Sequence, residues 1–435
     1  MINHTKATFL LAFASVAAFG WSQDRPTLSL DDALRLAMNR NGTIKAARAN
    51  VQASKFNLTA SQSSFLPTIS PSYSYTNSQS RFYTGTSAAA GDIKTNEHSL
   101  QIDGTYRLLD SGQRSATTAQ AKNSLAATTF NATQTVRGVL VTVYSQYYDA
   151  LRSAELLRVN QDQLKRAEEI LKYTQAKFDV GAGPKKDILQ AQADALNAKS
   201  NVLVQSNRVE TTWAALKATI GWDDAAMPTL ANAPDVSPER RSDDLKLALQ
   251  TGLKNRPDLR GLRAQTESAK LEVRLADIDS KIQYSLDLSS RYAFSPDVFR
   301  RGGLVVNATI PLFDGKRSKS LLAARREGLN AQLANLVQQE REALAEIESS
   351  YKQYDQGFAI LDASKLALEA AKENYRVAEF GARPDIGKST LLEIRNAQVT
   401  LTTAEVNFVQ ALYDVLIADV RYRVAIGEAL AAEKN

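Results

Sequence analysis

Apolar residues recur at the three- and four-residue spacing of an amphipathic helix over two very long stretches of the chain. The first stretch runs from about Ser115 to Val180 without a proline, and the second reaches Phe380. At 1.5 Å per residue, the first would form a helix roughly 100 Å long, which is longer than the core of a compact domain requires. Shorter helical patterns follow at Pro184–Ile220 and at Thr390–Ile426. The pattern therefore predicts two long helical hairpins.

The turns that join these paired helices have related sequences. The first, Phe178-Asp-Val-Gly-Ala-Gly-Pro-Lys-Lys-Asp-Ile-Leu-Gln-Ala-Gln192, matches Pro384-Asp-Ile-Gly-Lys-Ser-Thr-Leu-Leu-Glu-Ile-Arg-Asn-Ala-Gln398, which begins 206 residues later. The match aligns Gly387 with the first glycine of the earlier turn, although Gly381 also suits a turn. Either glycine can therefore be the turn residue of the second hairpin.

The residues of both turns favour helix ends. Gly181 can adopt the left-handed conformation that ends a helix, and Pro184 suits the first turn of the next helix, where no backbone N–H is needed. In the second turn, Thr390 and Glu393 form a T-x-x-E capping box that would start the return helix.

Four shorter segments alternate apolar and polar residues, which is the pattern of strands. They lie at 67–76, 98–109, 282–294 and 304–313, and loops are predicted at 77–96 and 295–303. One helix precedes each pair of strands. Ser29 opens the first helix, which is predicted to end near Leu66, and Asp243 opens the second, which continues through Pro257.

The order helix, two strands, long hairpin occurs twice, so the sequence predicts an internal duplication. Asn39-Arg40 is expected to correspond to Asn255-Arg256. The predicted organisation is a first repeat at 23–221 with its tip near 181–184, a linker at 222–242, a second repeat at 243–427 with its tip near 381–390, and a C-terminal tail at 428–435.

Each strand has about the length, roughly 9–11 residues, that crosses a bilayer when tilted. Four strands cannot close a barrel around polar side chains, and an open sheet edge in lipid would leave backbone groups unpaired. Either the strands form a soluble sheet over a core, or several chains each contribute four strands to one barrel. A trimer would give twelve strands. The polar face would then line a lumen with Asp103, Arg107, Asp287 and Arg291.

The N-terminus predicts export. Residues 1–22 are interpreted as a signal peptide, because a weakly basic start precedes an apolar run at Ala7–Gly20 that is too short for a membrane span. The chain has no cysteine, which excludes disulfides and thiolate metal sites.

Composition argues against an enzyme or a nucleic-acid-binding protein. The formal net charge of +6 comes from interleaved signs rather than a basic block. His98 is the only histidine after the predicted signal peptide, so a histidine-based metal or catalytic cluster is excluded. Gly387-Lys-Ser-Thr390 is similar to the end of a phosphate-binding loop but lacks the glycine at the required spacing and the preceding strand. No cofactor, metal or nucleic-acid partner is predicted.

Taken in this order, and twice, the motifs resemble those of the TolC family of outer-membrane efflux proteins. The resemblance rests on the duplicated hairpin tips, Phe65-Leu-Pro67 before a strand, Pro311-Leu-Phe-Asp-Gly315 after one, and Asn255-Arg-Pro-Asp-Leu259. It implies a mainly helical homotrimer with a twelve-stranded barrel in the outer membrane and a helical tunnel in the periplasm. A periplasmic adaptor protein and an inner-membrane pump of RND or ABC type would open the tips and deliver substrate.

The resemblance also implies a gate at the tips. Asp187 and Glu393 match the first acidic position of each return helix, and Asn396 lies where a second ring acid is common. Arg395 adds a positive neighbour, and Arg383 matches the tip arginine of the family. Two structural interpretations stay open, since Glu393 also serves the capping box and Asp187 also suits the first turn of any helix.

Two functions are therefore compared. The first is a passive exit channel for small molecules or exported polypeptides. The alternative is a periplasmic coiled-coil adaptor, or a structural protein without a pore, which would share the hairpins but would not need four strands of membrane-crossing length.

Overall fold

The computed structural model describes residues 27–83, 90–223, 228–231, 240–241, 244–293, 299–309, 313–381 and 390–430. The predicted signal peptide, most of the linker and the last residues of the tail lie outside this part. In chain order the elements are β1 (Thr27–Leu28), α1 (Leu30–Arg40), α2 (Gly42–Ser63), β2 (Thr68–Tyr83), β3 (Ala90–Leu109), α3 (Gln113–Asp179), α4 (Lys185–Ile220), β4 (Thr229–Leu230), α5 (Leu245–Asn255), α6 (Pro257–Asp279), β5 (Gln283–Ala293), β6 (Phe299–Thr309), α7 (Arg317–Gly381) and α8 (Leu391–Ala425).

The long helices and their return helices are present as expected. Helix α3 has 67 residues and α7 has 65, so each extends for roughly 100 Å. The seam between α3 and α4 is rich in alanine, with Ala167, Ala195 and Ala198 buried together. Small side chains let the two helices of the hairpin approach closely along much of their length.

The prediction of one continuous helix before each strand pair is wrong. The first helix breaks at Asn41, whose backbone is extended (φ −60°, ψ 126°) and whose side chain accepts hydrogen bonds from the N–H groups of Thr43 and Ile44. The second breaks at Arg256, because Pro257 occupies the first position of α6 and disfavours a helical residue before it. The structure aligns Asn41 with Arg256, so the predicted correspondence of Asn39-Arg40 with Asn255-Arg256 is wrong by one residue. The predicted helix start at Ser29 is confirmed by a capping box with Asp32.

The first pair of strands is longer than predicted. Strand β2 continues to Tyr83 and β3 begins at Ala90, so most of the loop predicted at 77–96 pairs as an antiparallel ladder from Asn77↔Asn96 to Tyr83↔Ala90. The sequence there is polar on both faces, which removes the alternation on which the prediction depended but leaves the backbone pairing intact. Strand β6 likewise begins at Phe299 and not at 304.

The four long strands form one antiparallel sheet in the order β2-β3-β5-β6. The pairing of β3 with β5 joins the two halves of the chain, with Arg107 opposite Asp287. Strands β2 and β6 lie at the two edges.

The main core lies where α1, α3, α4 and α8 meet, around Leu34, Leu140 and Leu216. The buried Tyr147 hydroxyl lies 3.0 Å from the carbonyl oxygen of Leu28 and 2.9 Å from that of Ala231. It therefore fixes a small parallel sheet, β1 with β4, that the sequence did not predict. Within the residues described, no helix combines the length and apolar character needed to cross a membrane.

Candidate functional site

The first hairpin tip ends α3 with a left-handed glycine. Gly181 has φ 74°, its N–H donates to Phe178 O at 2.8 Å, and the N–H of Ala182 donates to Lys177 O at 2.8 Å. Pro184 is the N-cap residue of α4 and not a residue of its first turn. Asp187 follows in that first turn, with a half-buried side chain.

At the second tip, the return helix α8 begins with a side-chain cap. Helix α7 ends at Gly381, and Thr390 caps α8. The Thr390 N–H donates to Glu393 Oε2 at 2.8 Å, and the Glu393 N–H donates to Thr390 Oγ1 at 3.2 Å. The predicted capping box is confirmed, and Glu393 and Asn396 lie one turn apart on α8. Arg383 and Gly387 lie outside the described residues.

The described helix turns that flank the two tips lie side by side. Ile170 of α3, Ala191 of α4 and Ile394 of α8 form one buried cluster, against which Tyr375 of α7 packs. All four long helices therefore meet just above the turns. This brings the helix turn that contains Asp187 near the turn that contains Glu393, although the two residues belong to different halves of the sequence.

Arg395 is not a free positive charge beside these acids. Its guanidinium makes a two-pronged ion pair with Asp194 of α4, with Nε 2.6 Å from Oδ2 and NH2 3.2 Å from Oδ1. Both side chains are half-buried. Sequence reasoning missed Asp194, although its position two helical turns after Asp187 puts it on the same side of α4.

Further polar contacts join the two hairpins along α3 and α8. Arg166 lies 2.9 Å from Glu405, and Arg152 lies 2.8 Å from Asp414. The buried Gln398 side chain donates to the carbonyl oxygen of Gln163 at 3.3 Å. The seam between the two hairpins therefore combines apolar contacts, in the main core and at the tips, with charged and amide groups between them.

The four predicted lumen residues share one face of the sheet. Register puts Asp103 opposite Arg291 and Arg107 opposite Asp287, so opposite charges alternate across the β3–β5 pair. Arg107 Nε lies 3.0 Å from Asp287 Oδ1, and Ser285 Oγ donates to the same carboxylate at 3.0 Å. This face is therefore polar and internally paired.

The opposite face of the sheet is apolar and exposed. Ile69 and Val306 are 73% and 71% exposed, and Tyr73, Leu100, Tyr284 and Leu304 lie on the same face. A contiguous apolar surface of this size marks a contact with lipid or with another protein. Among the residues described, no group of histidine, aspartate and glutamate side chains is arranged to hold a metal ion.

Comparison with known proteins agrees with this architecture. The family model for outer membrane efflux proteins matches residues 33–222 and 248–428. The chain is 21% identical to the outer membrane protein TolC of Vibrio cholerae over 319 residues, covering 71% of this chain and 72% of that one. It is 23% identical to the outer membrane efflux protein BepC of Brucella suis over 414 residues, covering 93% and 86%.

Solved structures share the fold at low identity. The outer membrane protein VceC of Vibrio cholerae superposes with a TM-score of 0.79 at 17% identity, covering 92% of this chain and 96% of that one. CusC gives 0.80 at 14% identity, with 98% and 99% covered. Since the family model matches most of both halves, the chain belongs to the outer membrane efflux protein family, the TolC-type trimeric channels of the outer membrane, and it is a channel and not an enzyme.

Proposed function

We propose that this channel is a passive exit duct whose periplasmic entrance is formed by the two hairpin tips. The observation that carries the proposal is the cluster of Ile170, Ala191 and Ile394, which joins the helix turns next to both tips at the end of the long helices. Because α3 starts directly after β3 and extends for roughly 100 Å, the tips lie at the end of the molecule farthest from the sheet.

Unpaired features at the sides of the chain support a trimer built around these tips. Strands β2 and β6 each have a partner on one side only among the described residues. Helix α4 exposes Leu189, Leu196 and Leu203 at seven-residue spacing, and α7 exposes Leu366 and Val377. Adjacent copies would pair β2 with β6 and cover these stripes, which would leave no free strand edge in lipid.

In the trimer, three copies of Glu393 and Asp187 would surround the entrance, with Asn396 one helical turn above Glu393. Carboxylates that converge on a narrow pore attract cations and repel anions. Since Asp194 neutralises Arg395, this arginine would reduce the cation preference less than its position in the sequence suggests. Arg383 and Gly387 remain predicted members of the same entrance. Asp103, Arg107, Asp287 and Arg291 would line the barrel lumen as a paired, solvated surface.

A channel of this kind has no energy source of its own, so its partners must open the entrance and drive the cargo. We propose a periplasmic adaptor that binds the hairpin tips and an inner-membrane pump of RND or ABC type. Residues 1–22 would direct the chain to the periplasm as a signal peptide, and the segments 23–221 and 243–427 would be structural repeats of one ancestral unit. The match to the efflux family favours this duct over an adaptor without a pore.

The test is ion conductance of the purified trimer in planar bilayers, with Glu393→Ala and Asp187→Asn compared with the wild type. Each variant is expected to lower the ratio of cation to anion permeability. Thr390→Ala is the matched control, because it removes the cap and keeps the Glu393 charge. A gate role predicts that Thr390→Ala leaves the selectivity unchanged. If Thr390→Ala reproduces the effect of Glu393→Ala, the acid acts only as a helix cap and the gate assignment fails.

A further inference from the structure

The apolar face of the sheet changes character along β3. Near α3 it carries Leu108 and Tyr106, followed by Ile102 and Leu100. Farther along the same face, at even-numbered positions, come His98 opposite Tyr75 and Lys94 opposite Gln79. The surface thus passes from aliphatic side chains to aromatic and imidazole rings and then to a cation.

His98 is positioned by two tyrosines of β2. The Tyr73 hydroxyl lies 2.7 Å from His98 Nδ1, and the Tyr75 ring centroid lies 4.8 Å from the centroid of the imidazole. Tyr73 and Tyr75 are 65% and 53% exposed, so their ring faces stay accessible. Because Tyr73 engages Nδ1, the imidazole orientation is fixed and Nε2 can bind a group outside the protein.

The position of this cluster along the strand matches a membrane boundary. The strand ends joined to α2 and α3 face the periplasm, so the opposite ends face the outer leaflet. Between Leu108 and His98, ten residues at about 3.4 Å each, tilted by about 40°, rise roughly 26 Å, close to the height of about 25 Å of the apolar band of such barrels. Lys94 lies roughly 10 Å higher still. His98 therefore sits at the upper edge of the hydrocarbon layer, and Lys94 lies among the headgroups.

We propose that Tyr73, Tyr75, His98 and Lys94 form an outward-facing site for the phosphorylated sugar headgroup of an outer-leaflet glycolipid. His98 donates an Nε2–H to a phosphate oxygen, and the Lys94 ammonium neutralises the same or a neighbouring phosphate. The exposed tyrosine faces stack on the sugar rings. A glycerophospholipid offers phosphate but no ring to stack, so the combination of an imidazole, an ammonium and two aromatic faces fits the glycolipid better.

The charges around His98 are compatible with binding an anion. By register, the titratable residues nearest to His98 on the same face are Tyr73, Tyr75 and Lys94. Arg81 and Asp92 lie opposite each other beyond Lys94 as an oppositely charged pair, Tyr106 lies nearer to α3, and Glu97 lies on the opposite face. Pairing of β2 with a neighbouring copy would occupy its edge and leave this face uncovered.

The test compares thermal dissociation of the full trimer in lipid nanodiscs of three compositions. The discs contain a bis-phosphorylated glucosamine-disaccharide lipid, the same lipid without phosphates, or phosphatidylglycerol at equal charge. We expect the wild-type Tm to be about 3–5 °C higher with the phosphorylated glycolipid than with either alternative. His98→Gln and Lys94→Gln should each remove about half of that difference, and the double variant should remove all of it.

Arg301→Gln is the matched control, because Arg301 lies opposite Arg291 on the polar face of the sheet, near the same end of the strands. It should keep the full lipid-dependent difference. The proposal is overturned if the wild type does not distinguish the three lipids, or if the double variant keeps the wild-type preference. An equal stabilisation by phosphatidylglycerol would assign the site to anionic lipid in general and would also overturn the glycolipid assignment. None of these outcomes bears on conductance, so the efflux function is tested separately.

Discussion

At the end of α4, the Asn41 side-chain amide donates to the carbonyl oxygen of Thr219 at 2.9 Å. At the end of α8, the Arg256 guanidinium lies 3.5 Å from the carbonyl oxygen of Ala425. Each residue has an extended backbone that separates two helices, and each hydrogen-bonds to the last turn of a return helix. We call each contact between a break residue and the end of a return helix a joint. The two halves therefore form equivalent joints with different side chains.

The environments of the two joints differ. Asn41 is half-buried, and among the described residues its side chain bonds to backbone groups of Thr43, Ile44 and Thr219. The Arg256 side chain is 9% exposed and also pairs with Asp258 at 2.7 Å and with Glu346 at 2.6 Å. The second joint therefore depends on buried charge, whereas the first depends on neutral hydrogen bonds. Loss of a buried charge leaves its partners uncompensated, so the second joint should be the more sensitive to mutation.

The two joints are expected to differ most in the loss of unfolding free energy when the glycine after each return helix is replaced. Gly221 and Gly427 both have positive φ, 67° and 76°, but a Cβ on Gly427 would lie 2.8 Å from the backbone carbon of Asn255 and 2.9 Å from the backbone nitrogen of Arg256. A Cβ on Gly221 would meet the side-chain Cβ of Arg40 at 2.9 Å. Gly427→Ala should therefore cost roughly 3–4 kcal/mol or more of unfolding free energy, and Gly221→Ala roughly 1–2 kcal/mol.

Urea unfolding of the purified protein in detergent, followed by circular dichroism, measures both variants. Gly328→Ala in α7 is the matched control, since a Cβ there meets nothing within 4 Å and the backbone is helical. It should be neutral or slightly stabilising. Equal losses for Gly427→Ala and Gly221→Ala would show that positive φ alone sets the cost and that backbone contact at the second joint is unimportant.

The next largest difference in unfolding free energy is expected when the break residues, Arg256 and Asn41, are replaced. Arg256→Ala is expected to cost roughly 2–3 kcal/mol, because it removes a buried guanidinium that binds Asp258 and the Ala425 carbonyl oxygen, while water screens the 56% exposed Glu346. Asn41→Ala should cost roughly 1–2 kcal/mol through loss of a helix cap and one further hydrogen bond. The same urea titration measures both. Arg256→Lys tests the planar geometry, since lysine keeps the charge but cannot bind Asp258 with two nitrogen atoms. A smaller loss for Arg256→Ala than for Asn41→Ala would contradict the buried-charge argument.

The second joint should also respond to acid. Burial by itself raises the pKa of Asp258, but the hydrogen bonds and charge of Arg256 outweigh it and hold the pKa below its usual value. A carboxylate whose pKa is lowered on folding stabilises the protein above its unfolded pKa, near 4, and this stabilisation is lost as pH falls through the lower folded value. Stability of the wild type should therefore fall below about pH 4. Arg256→Ala should flatten this part of the profile, and Asn41→Ala should leave it unchanged.

Sequence periodicity predicted the elements that repeat over many residues, and it failed where one residue or one long-range contact decides the structure. The hairpins follow from apolar spacing and from the signals at Gly181 and Thr390. The break at Asn41 was missed because an asparagine within an amphipathic pattern does not indicate a helix break unless its cap contacts are known. The extension of β2 to Tyr83 was missed because a strand that is polar on both faces has no alternation.

The candidate site divides in the same way. The first-turn positions of Glu393 and Asp187 were predicted because the tips repeat, while their role in a gate stays a prediction. The charges of Asp103, Arg107, Asp287 and Arg291 were assigned to one face because strands alternate. The partner of Arg395 was missed, because the contact with Asp194 depends on how α8 packs beside α3 and α4. Pairs that join residues about 200 positions apart cannot be read from local spacing.

A third difference between the halves lies in the turns from strand to long helix. In the first, Asp110 accepts hydrogen bonds from the backbone N–H and the Nε of Arg114, at 2.8 and 2.7 Å, and both side chains are largely buried. In the second, the exposed Asp314 accepts from Ser318. Asp110→Ala is expected to cost roughly 2 kcal/mol in the same unfolding measurement, and Asp314→Ala is expected to cost less because Asp314 is exposed to solvent. Reversal of this order would mean that burial of the Asp110–Arg114 pair contributes nothing.

The smallest difference concerns the hairpin tips. Pro184 starts α4 without a side-chain cap, whereas Thr390 starts α8 with a reciprocal capping box. Thr390→Ala should cost about 1 kcal/mol, and Thr390→Ser should restore most of it because serine keeps the hydroxyl acceptor. Amide hydrogen exchange locates the loss, since faster exchange is expected in the first turn of α8 and not in that of α4. Faster exchange in both tips would mean that the cluster of Ile170, Ala191 and Ile394 couples them, so that the two tips open together and not one at a time.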